Sequence, residues 1–358
     1  LRFIKIIINL INHGITIFRL DAIGYLWKES GTKCINLKQT HEVVKLLRVI
    51  CNSLNVQTLL VTETNLPEKE NLSYFGNNDE TNWVYNFSLP PLLIHALLFE
   101  NSFYLNKWSE KLIKTKNGNS YLNFLASHDG IGIRPTEGKF NSSTLKSFLK
   151  RLKKNGSKFS FRKIQNKSKK VYEANITVFD ALKKTDYDPK GKFLLERYVS
   201  AHSIMISLEG IPAIYFNSLF GKSNDEAKYI ITGNNRDVNR YKWNYKNILK
   251  KLSNKNSKQS IFFEKISNLL SIRRKQKAFH PNASRHNINL GSKIFSFKRI
   301  SINKEQTIIC ITNLSSKTQG AHINKIYHNW NNLIGSKIEI KNKLLILKPF
   351  ETIWLSNR

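Results

Sequence analysis

Three acidic residues stand just after apolar runs in this chain. Asp21 follows Ile15-Thr16-Ile17-Phe18 and Arg19-Leu20, Glu63 follows the run from Val56 to Val61 and Thr62, and Asp129 follows the run from Tyr121 to Ala126 and Ser127-His128. Short β-branched and apolar runs read as strands, so each carboxylate falls at the C-terminal end of one. In a (β/α)8 barrel the active site is built at that end. One such carboxylate alone reads first as a cap or a salt-bridge partner. A set of three is material for nucleophilic and acid–base chemistry. Arg19 lies two residues before Asp21, so both side chains fall on one face of the strand. A cation there favours the ionised carboxylate. Glu63 is approached through Leu59-Leu60-Val61, which permits the drier surroundings in which a carboxyl keeps its proton.

The elements that must position these residues follow from periodicity. Residues 2–12 read as an amphipathic helix stopped at Gly14. Ile15 to Phe18 reads as a strand. Thr40 to Leu54 reads as a helix with Thr40 as its N-cap, Glu42 in its first turn, and an apolar stripe of Val43, Leu46, Leu47 and Ile50. Val56–Val61, Tyr121–Ala126 and Ile211–Phe216 read as further strands. Strands alternating with helices predict an α/β fold with a parallel sheet. An open doubly wound sheet fits the alternation too, but no glycine-rich phosphate fingerprint accompanies it. Residues 138–200 depart from this rhythm as an elaborated loop region, most polar over 138–170, with one helix. From 282 to 358 the pattern turns to short alternating strands, at Ile294–Phe297, Thr307–Thr312 and Leu344–Leu347, which predicts a small β-sandwich-like C-terminal domain after a catalytic domain over 1–281.

Composition bounds the rest. The chain has 358 residues, 41% of them apolar, which is enough for a large domain and a small one. Its formal charge of +33 raises the question of nucleic acid. The lysines, however, are scattered among asparagine and isoleucine, and clusters such as Lys153-Lys154 and Lys167, Lys169, Lys170 fall in polar stretches. A solvated basic surface is expected, with no nucleic-acid partner. Three cysteines, Cys34, Cys51 and Cys310, show neither metal-ligand spacing nor a disulfide framework, which suits a reducing compartment. The apolar opening from Phe3 to Trp27 is broken by Lys5, Asn12, His13, Arg19 and Asp21, so no membrane span is expected. The chain starts at Leu1 and its one methionine is Met205, which reads as a fragment, a processed form or an unusual start.

Three short segments together resemble glycoside hydrolase family 13, the α-amylase superfamily: Phe18-Arg19-Leu20-Asp21-Ala22, Thr62-Glu63-Thr64-Asn65 and Ala126-Ser127-His128-Asp129-Gly130. Longer stretches narrow the resemblance to the sucrose phosphorylase subfamily: DAIGYLWKESGT from Asp21, NFSLPPLLIHA from Asn86, NFLASHDGIGIRPTEG from Asn123, YEANITVFDAL from Tyr172, GIPAIYFNSL from Gly210 and RDVNR from Arg236. The stretch from Glu63 to Gly76 is similar to the glucosylglycerate phosphorylase branch. The resemblance implies the C-terminal part of a (β/α)8 TIM barrel, about five strands, followed by the all-β domain. The family's first motif, an Asp–Asn–His cluster, has no counterpart in this chain.

The resemblance also implies roles. Asp21 would be the nucleophile, Glu63 the acid/base and Asp129 the carboxylate that stabilises the transition state in a double displacement with net retention. His128 and Arg240 would bind the donor glucose, Arg19 would pair with the carboxylates, and Tyr25 would help to hold phosphate. The implied reaction is phosphorolysis of sucrose or glucosylglycerate to α-glucose 1-phosphate, with phosphate as co-substrate and no metal or organic cofactor, in the cytoplasm. An α-glucosidase or transglucosidase, or a catalytically incomplete remnant, is the alternative. Oligomeric state is not legible, a homodimer being one option. Arg134 reads as a loop arginine with the option of an anionic ligand. Trp27, Trp83 and Trp108 are options for sugar-stacking platforms; Trp83 and Trp108 read rather as packing residues, Trp27 stands near the nucleophile and keeps the option, and His95 reads as a helix residue.

Overall fold

The fold is described from a computed structural model over residues 1–54, 56–116, 118–163, 169–335 and 337–358. Lys167 of the basic cluster lies outside the described residues. The chain forms two compact units, Leu1–Phe87 with Lys114–Leu122, and Ser88–Ile113 with Asn123–Arg358.

In the first unit, α1 (Arg2–Asn12) leads through Gly14, at φ +86°, into β1 (Ile17–Leu20). Next come α2 (Lys38–Ser53), β2 (Leu59–Thr62), the short α3 (Glu68–Leu72), β3 (Trp83–Tyr85) and β4 (Ser120–Asn123). The strands run parallel in the order β1-β2-β3-β4, with Ile17 opposite Leu59, Val61 opposite Trp83 and Trp83 opposite Ser120. Ile7 and Ile11 of α1, Val44, Leu47 and Cys51 of α2, and Phe18, Leu20, Leu60 and Val84 of the strands form the core. α1 has a second apolar stripe, Phe3, Ile6 and Leu10, which is exposed.

Several boundaries differ from the sequence expectation. β1 begins two residues later than expected and includes Arg19 and Leu20, because the ladder with β2, rather than the apolar run, defines the strand. β2 likewise starts at Leu59, leaving Val56 exposed. β4 ends at Asn123, and the strand expected from Ile211 is β8, Ile211–Pro212 only. Helix α2 starts at Lys38 with Leu37 as its N-cap residue, so Thr40 is inside the helix. Its buried hydroxyl oxygen accepts from the Trp27 amide instead. The buried face of α2 is Thr40, Val44, Leu47 and Cys51, and Leu46 is 49% exposed.

The second unit is built on two buried helices. One, α4 (Leu89–Phe99), is apolar on almost every side and opens with Pro90 and Pro91, tolerated in a first turn where the amides have no helical partner. The other, α8 (Leu194–Ser207), is buried along almost its whole length and also buries polar residues such as Arg197 and His202. Between them in sequence lie α5 (Phe103–Glu110), β5 (Ile131–Gly132), α6 (Ser142–Lys154), β6 (Lys158–Lys163), β7 (Lys169–Asn175) and α7 (Val178–Ala181). β5, β7 and β6 form an antiparallel sheet in that order. The region expected to be loop with one helix thus holds α6, the antiparallel pair β6 and β7, α7 and the start of α8. After β8 come α9 (Phe216–Leu219), α10 (Glu226–Thr232), a 3-10 turn over Asn235–Asn239, α11 (Tyr245–Ser253) and α12 (Lys258–Arg274).

Strands β9 (Ser284–Ile288), β10 (Ile294–Ile300), β11 (Thr307–Asn313), β12 (Gln319–Ala321), β13 (Asn331–Asn332), β14 (Glu339–Lys341), β15 (Leu344–Leu347) and β16 (Thr352–Ser356) complete the unit. They form two antiparallel sheets, β13-β16-β11-β10-β9 and β12-β15-β14. Ile309, Ile311, Ile353 and Leu355 of the first meet Ala321, Leu345 and Leu347 of the second in one apolar core.

Candidate active site

β1 delivers Arg19 and then ends, so Asp21 stands at its C-terminal end. β2 ends at Thr62 and delivers Glu63 in the same way, and the Glu63 amide donates to the Leu20 carbonyl as the last rung of the ladder. This register brings the two carboxylates to one guanidinium. Arg19 Nη1 is 2.5 Å from Asp21 Oδ1, and Nη2 is 3.8 Å from Glu63 Oε2. Asp21 is 72% exposed in its side chain and Glu63 only 14%. The guanidinium also lies 5.7 Å from the centre of the Tyr85 ring on β3. Burial works against the Arg19 charge, but Glu63, Tyr85 and Asp21 outweigh it and raise its pKa above the ordinary value. Burial pushes the Tyr85 hydroxyl up, against the pull of Arg19.

The turn after Asp21 is strained. Ala22 has φ +46° and ψ +34°, a left-handed conformation that costs a non-glycine residue about 1 kcal/mol. Its amide donates to Glu63 Oε2 at 3.0 Å, so the same carboxylate oxygen that Arg19 approaches also fixes this turn. Strain of this kind gathers where a side chain must be aimed. Tyr25 closes the following 3-10 turn and is 45% exposed, with the Lys28 ammonium 5.2 Å from its ring centre. Trp27 is exposed, Trp83 is half-buried in β3, and Trp108 is buried in α5.

In the second unit, Asp129 lies on the segment leading from Asn123 to β5. Its amide donates to Ser127 Oγ at 3.0 Å. Its carboxylate is met by three cationic or ionisable side chains: Arg236 Nη1 at 2.8 Å, Arg240 Nη2 at 3.2 Å and His128 Nε2 at 3.6 Å, all on Oδ1. Arg240 Nε also donates to the His128 carbonyl at 3.0 Å, and Asn239 Nδ2 donates to the Asp129 carbonyl at 2.9 Å. The 3-10 turn and Arg240 thus grip the His128-Asp129 pair from the side. His128, Asp129 and Arg240, expected from their motifs, are brought together here as a cluster. Asp21, Glu63, Arg19 and Tyr25 belong to the first unit, where Arg19, Asp21 and Glu63 cluster.

Two residues were missed by sequence reasoning, although both lie in stretches that carried the family resemblance. Arg236 divides its guanidinium between Asp129 and Glu173, and Glu173 is 1% exposed in β7. Burial opposes the Arg236 charge, but the hydrogen bond and charge of Glu173, with Asp129, raise its pKa above the ordinary value. An RDxxR spacing puts the first and last arginines a turn apart, and this was the signal available. Arg134 opens a 3-10 turn five residues after Asp129, half-buried, with no hydrogen-bond partner for its Nε among the described residues. His95 is buried in α4, stacked on Phe99 at 4.7 Å and enclosed by Tyr104, Phe140 and Phe148. Among the described residues no group of three or more His, Cys, Asp or Glu side chains could hold a metal ion.

Asp21 and Glu63 thus stand at the C-terminal ends of neighbouring parallel strands around one arginine, in an α/β fold. The chain is a homologue of the sucrose phosphorylase-like enzymes of glycoside hydrolase family 13. It is 32% identical over 357 residues to the glucosylglycerate phosphorylase of Escherichia coli, covering 99% of this chain and 63% of that protein. It is 38% identical over 316 residues to the glucosylglycerate phosphorylase of Spirochaeta thermophila, covering 88% of this chain and 53% of that protein. The chain therefore spans less than two thirds of the length of these relatives. Its fold matches the crystal structure of sucrose 6F-phosphate phosphorylase from Thermoanaerobacter thermosaccharolyticum with a TM-score of 0.73 at 20% identity, over 87% of this chain and 58% of that one. No family model matches the chain. No helix among the described residues is long and apolar enough to cross a membrane.

Proposed function

We propose that the protein is a retaining α-glucoside phosphorylase that converts glucosylglycerate, or a related α-glucoside such as sucrose, and phosphate to α-glucose 1-phosphate. The observation that carries this reading is the 32% identity to a glucosylglycerate phosphorylase across 99% of this chain. In the first step an Asp21 oxygen attacks the anomeric carbon, the glycosidic bond breaks, and Glu63 gives its proton to the leaving oxygen. In the second, a phosphate oxygen attacks the same carbon, the bond to Asp21 breaks, and Glu63 takes back a proton from phosphate. Two inversions leave retention. Arg19, with Nη1 2.5 Å from Asp21 Oδ1, orients that carboxylate for attack. Asp129, His128 and Arg240 hold glucose hydroxyls, and Tyr25, beside the Lys28 ammonium, contacts phosphate.

The chemistry needs carboxylates, a proton and phosphate, and the proposal includes no metal or organic cofactor. It places the enzyme in the cytoplasm, where phosphate and sugar phosphates are held. It also takes the parallel strands β1–β4 of the first unit as part of a (β/α)8 barrel whose C-terminal strands, about five, this chain supplies within 1–281, with 282–358 as a β-sandwich-like domain. Two observations support that: β1 is paired on one side only among the described residues, and the stripe Phe3, Ile6, Leu10 of α1 is exposed. Both are what a barrel strand and helix without their preceding neighbours would show.

The test is phosphorolysis by the gene's complete translation product, with glucosylglycerate and sucrose as donors and α-glucose 1-phosphate as the assayed product. Product is expected, and Asp21→Asn is expected to lower its rate at least 10³-fold. Glucose release without glucose 1-phosphate would replace the reading with an α-glucosidase or transglucosidase. No product from any donor would make the chain a catalytically incomplete remnant. Light scattering on the same preparation tests the homodimer.

A further inference from the structure

We propose that Glu173 is a positioning residue for Asp129, acting through Arg236 and through the backbone of Gly130. The inference rests on the reading of Asp129 as the carboxylate that steadies the reacting sugar. Glu173 lies in β7 and is 1% exposed. A carboxylate so buried is costly unless it is paired and hydrogen-bonded. Its bonds go chiefly to Arg236, which meets Asp129, and to Gly130, the next residue after Asp129. Its Oε1 accepts from the Gly130 amide at 2.8 Å and from Arg236 Nε at 3.2 Å, and its Oε2 accepts from Arg236 Nη2 at 2.8 Å. Asn175 Nδ2 donates to Oε1 as well.

The geometry makes this a relay rather than a packing contact. A guanidinium is planar and rigid, so two nitrogens locked on Glu173 fix where the third points. That third nitrogen, Nη1, is the one 2.8 Å from Asp129 Oδ1. Arg236 and Arg240 both meet Oδ1, and among the described residues nothing is hydrogen-bonded to Oδ2. The arginines thus hold one carboxylate oxygen and leave the other to a ligand hydroxyl. Glu173 also fixes the backbone. A Cβ on Gly130 would stand 2.5 Å from the Ala174 carbonyl oxygen and 2.6 Å from Asn175 Nδ2, so only glycine lets the chain next to Asp129 settle onto β7. The pairing of Gly132 with Glu173 continues that approach.

Glu173→Gln sets an amide NH2 against the guanidinium while nearly preserving volume. It is expected to lower kcat/KM for phosphorolysis about 10²-fold. In an Asp129→Asn background the same change is expected to cost less than twofold, because the group it serves is already gone. A merely structural role would multiply the two losses, and that result, or a fully active Glu173→Gln enzyme, overturns the inference. Arg236→Lys, which keeps the charge but loses the fork, is expected to behave like Glu173→Gln and serves if the latter fails to fold. Full turnover by Asp129→Asn would sink the reading of Asp129 itself and the inference with it. A second arm reads position without turnover. Hydrogen exchange of the Asp129–Ile131 amides is expected to speed at least tenfold in Glu173→Gln, with α4 and α8 unchanged. Unchanged exchange at Gly130 overturns the inference whatever the activity.

Discussion

Arg19 is shared by two carboxylates and has no equal substitute. It stands 2.5 Å from Asp21 and 3.8 Å from Glu63, and its raised pKa records the charge of both. Replacing it removes the one guanidinium that both carboxylates approach, so neither is held by it. Arg19→Met is therefore expected to lower phosphorolysis 10- to 100-fold, about 1.4–2.7 kcal/mol of lost transition-state stabilisation, read as the rate of glucose 1-phosphate release. A variant with unchanged kcat would show that Arg19 only supports the strand end. Arg236 plays the matching part for Asp129, and the two arginines differ in how visible they were. Arg19 is read from its spacing to Asp21. Arg236 is bonded to a glutamate 63 positions away in sequence, which no local pattern announces.

At the scale of elements, α2 separates periodicity from burial. Its sequence offered a stripe through Val43, Leu46, Leu47 and Ile50, but the face turned to the sheet is Val44, Leu47 and Cys51 with Thr40. The helix begins two residues early, at Lys38, and packs Thr40 inward, so the buried face is rotated. Leu47→Ala is expected to cost about 2–5 kcal/mol in urea unfolding, and Leu46→Ala within about 0.5 kcal/mol. Equal costs would contradict the assigned face. The strands show a related effect. Apolar runs located β1, β2 and β4, yet their ends were set by the ladder. That moved Arg19 and Leu20 into β1 and put Asp21 directly after its last residue. The two-residue β8 shows the limit, since Ile214 and Phe216, apolar enough for a strand, belong to the turn and helix that follow.

For the whole molecule, the buried histidines set an acid limit. His95 in α4 and His202 in α8 are both pushed down to about 4 by burial, His202 despite its hydrogen bond to the Tyr198 carbonyl. Their ordinary value is near 6.5, so between pH 6.5 and 4 the unfolded chain binds more protons than the folded one. The stability each contributes is whole above pH 6.5 and is lost as pH falls toward 4, about 3 kcal/mol per histidine at the full extent. The urea midpoint is expected to drop steeply across this window. His95→Leu, which fits the aromatic enclosure without a titrating group, is expected to flatten part of the drop. An unchanged slope in that variant would show that His95 does not contribute. The +33 charge does not alter this sign, because lysine and arginine stay protonated across the window.

What the sequence determined by itself was the set of candidate carboxylates and their order along the chain. Asp21, Glu63 and Asp129 follow strand runs, and Arg19 shares a face with Asp21, because these facts depend only on alternation within a few residues. The family motifs and the switch from α/β rhythm to short strands near residue 282 are local in the same sense. What only the tertiary structure decided was which side chains those groups meet. The bonds of Asp129 to Arg240 span 111 positions and that of Gly130 to Glu173 spans 43. The strained turn at Ala22 is tied to Glu63 across 41 positions. Such contacts arise from strand register and close backbone approach, and neither is fixed until distant segments pair.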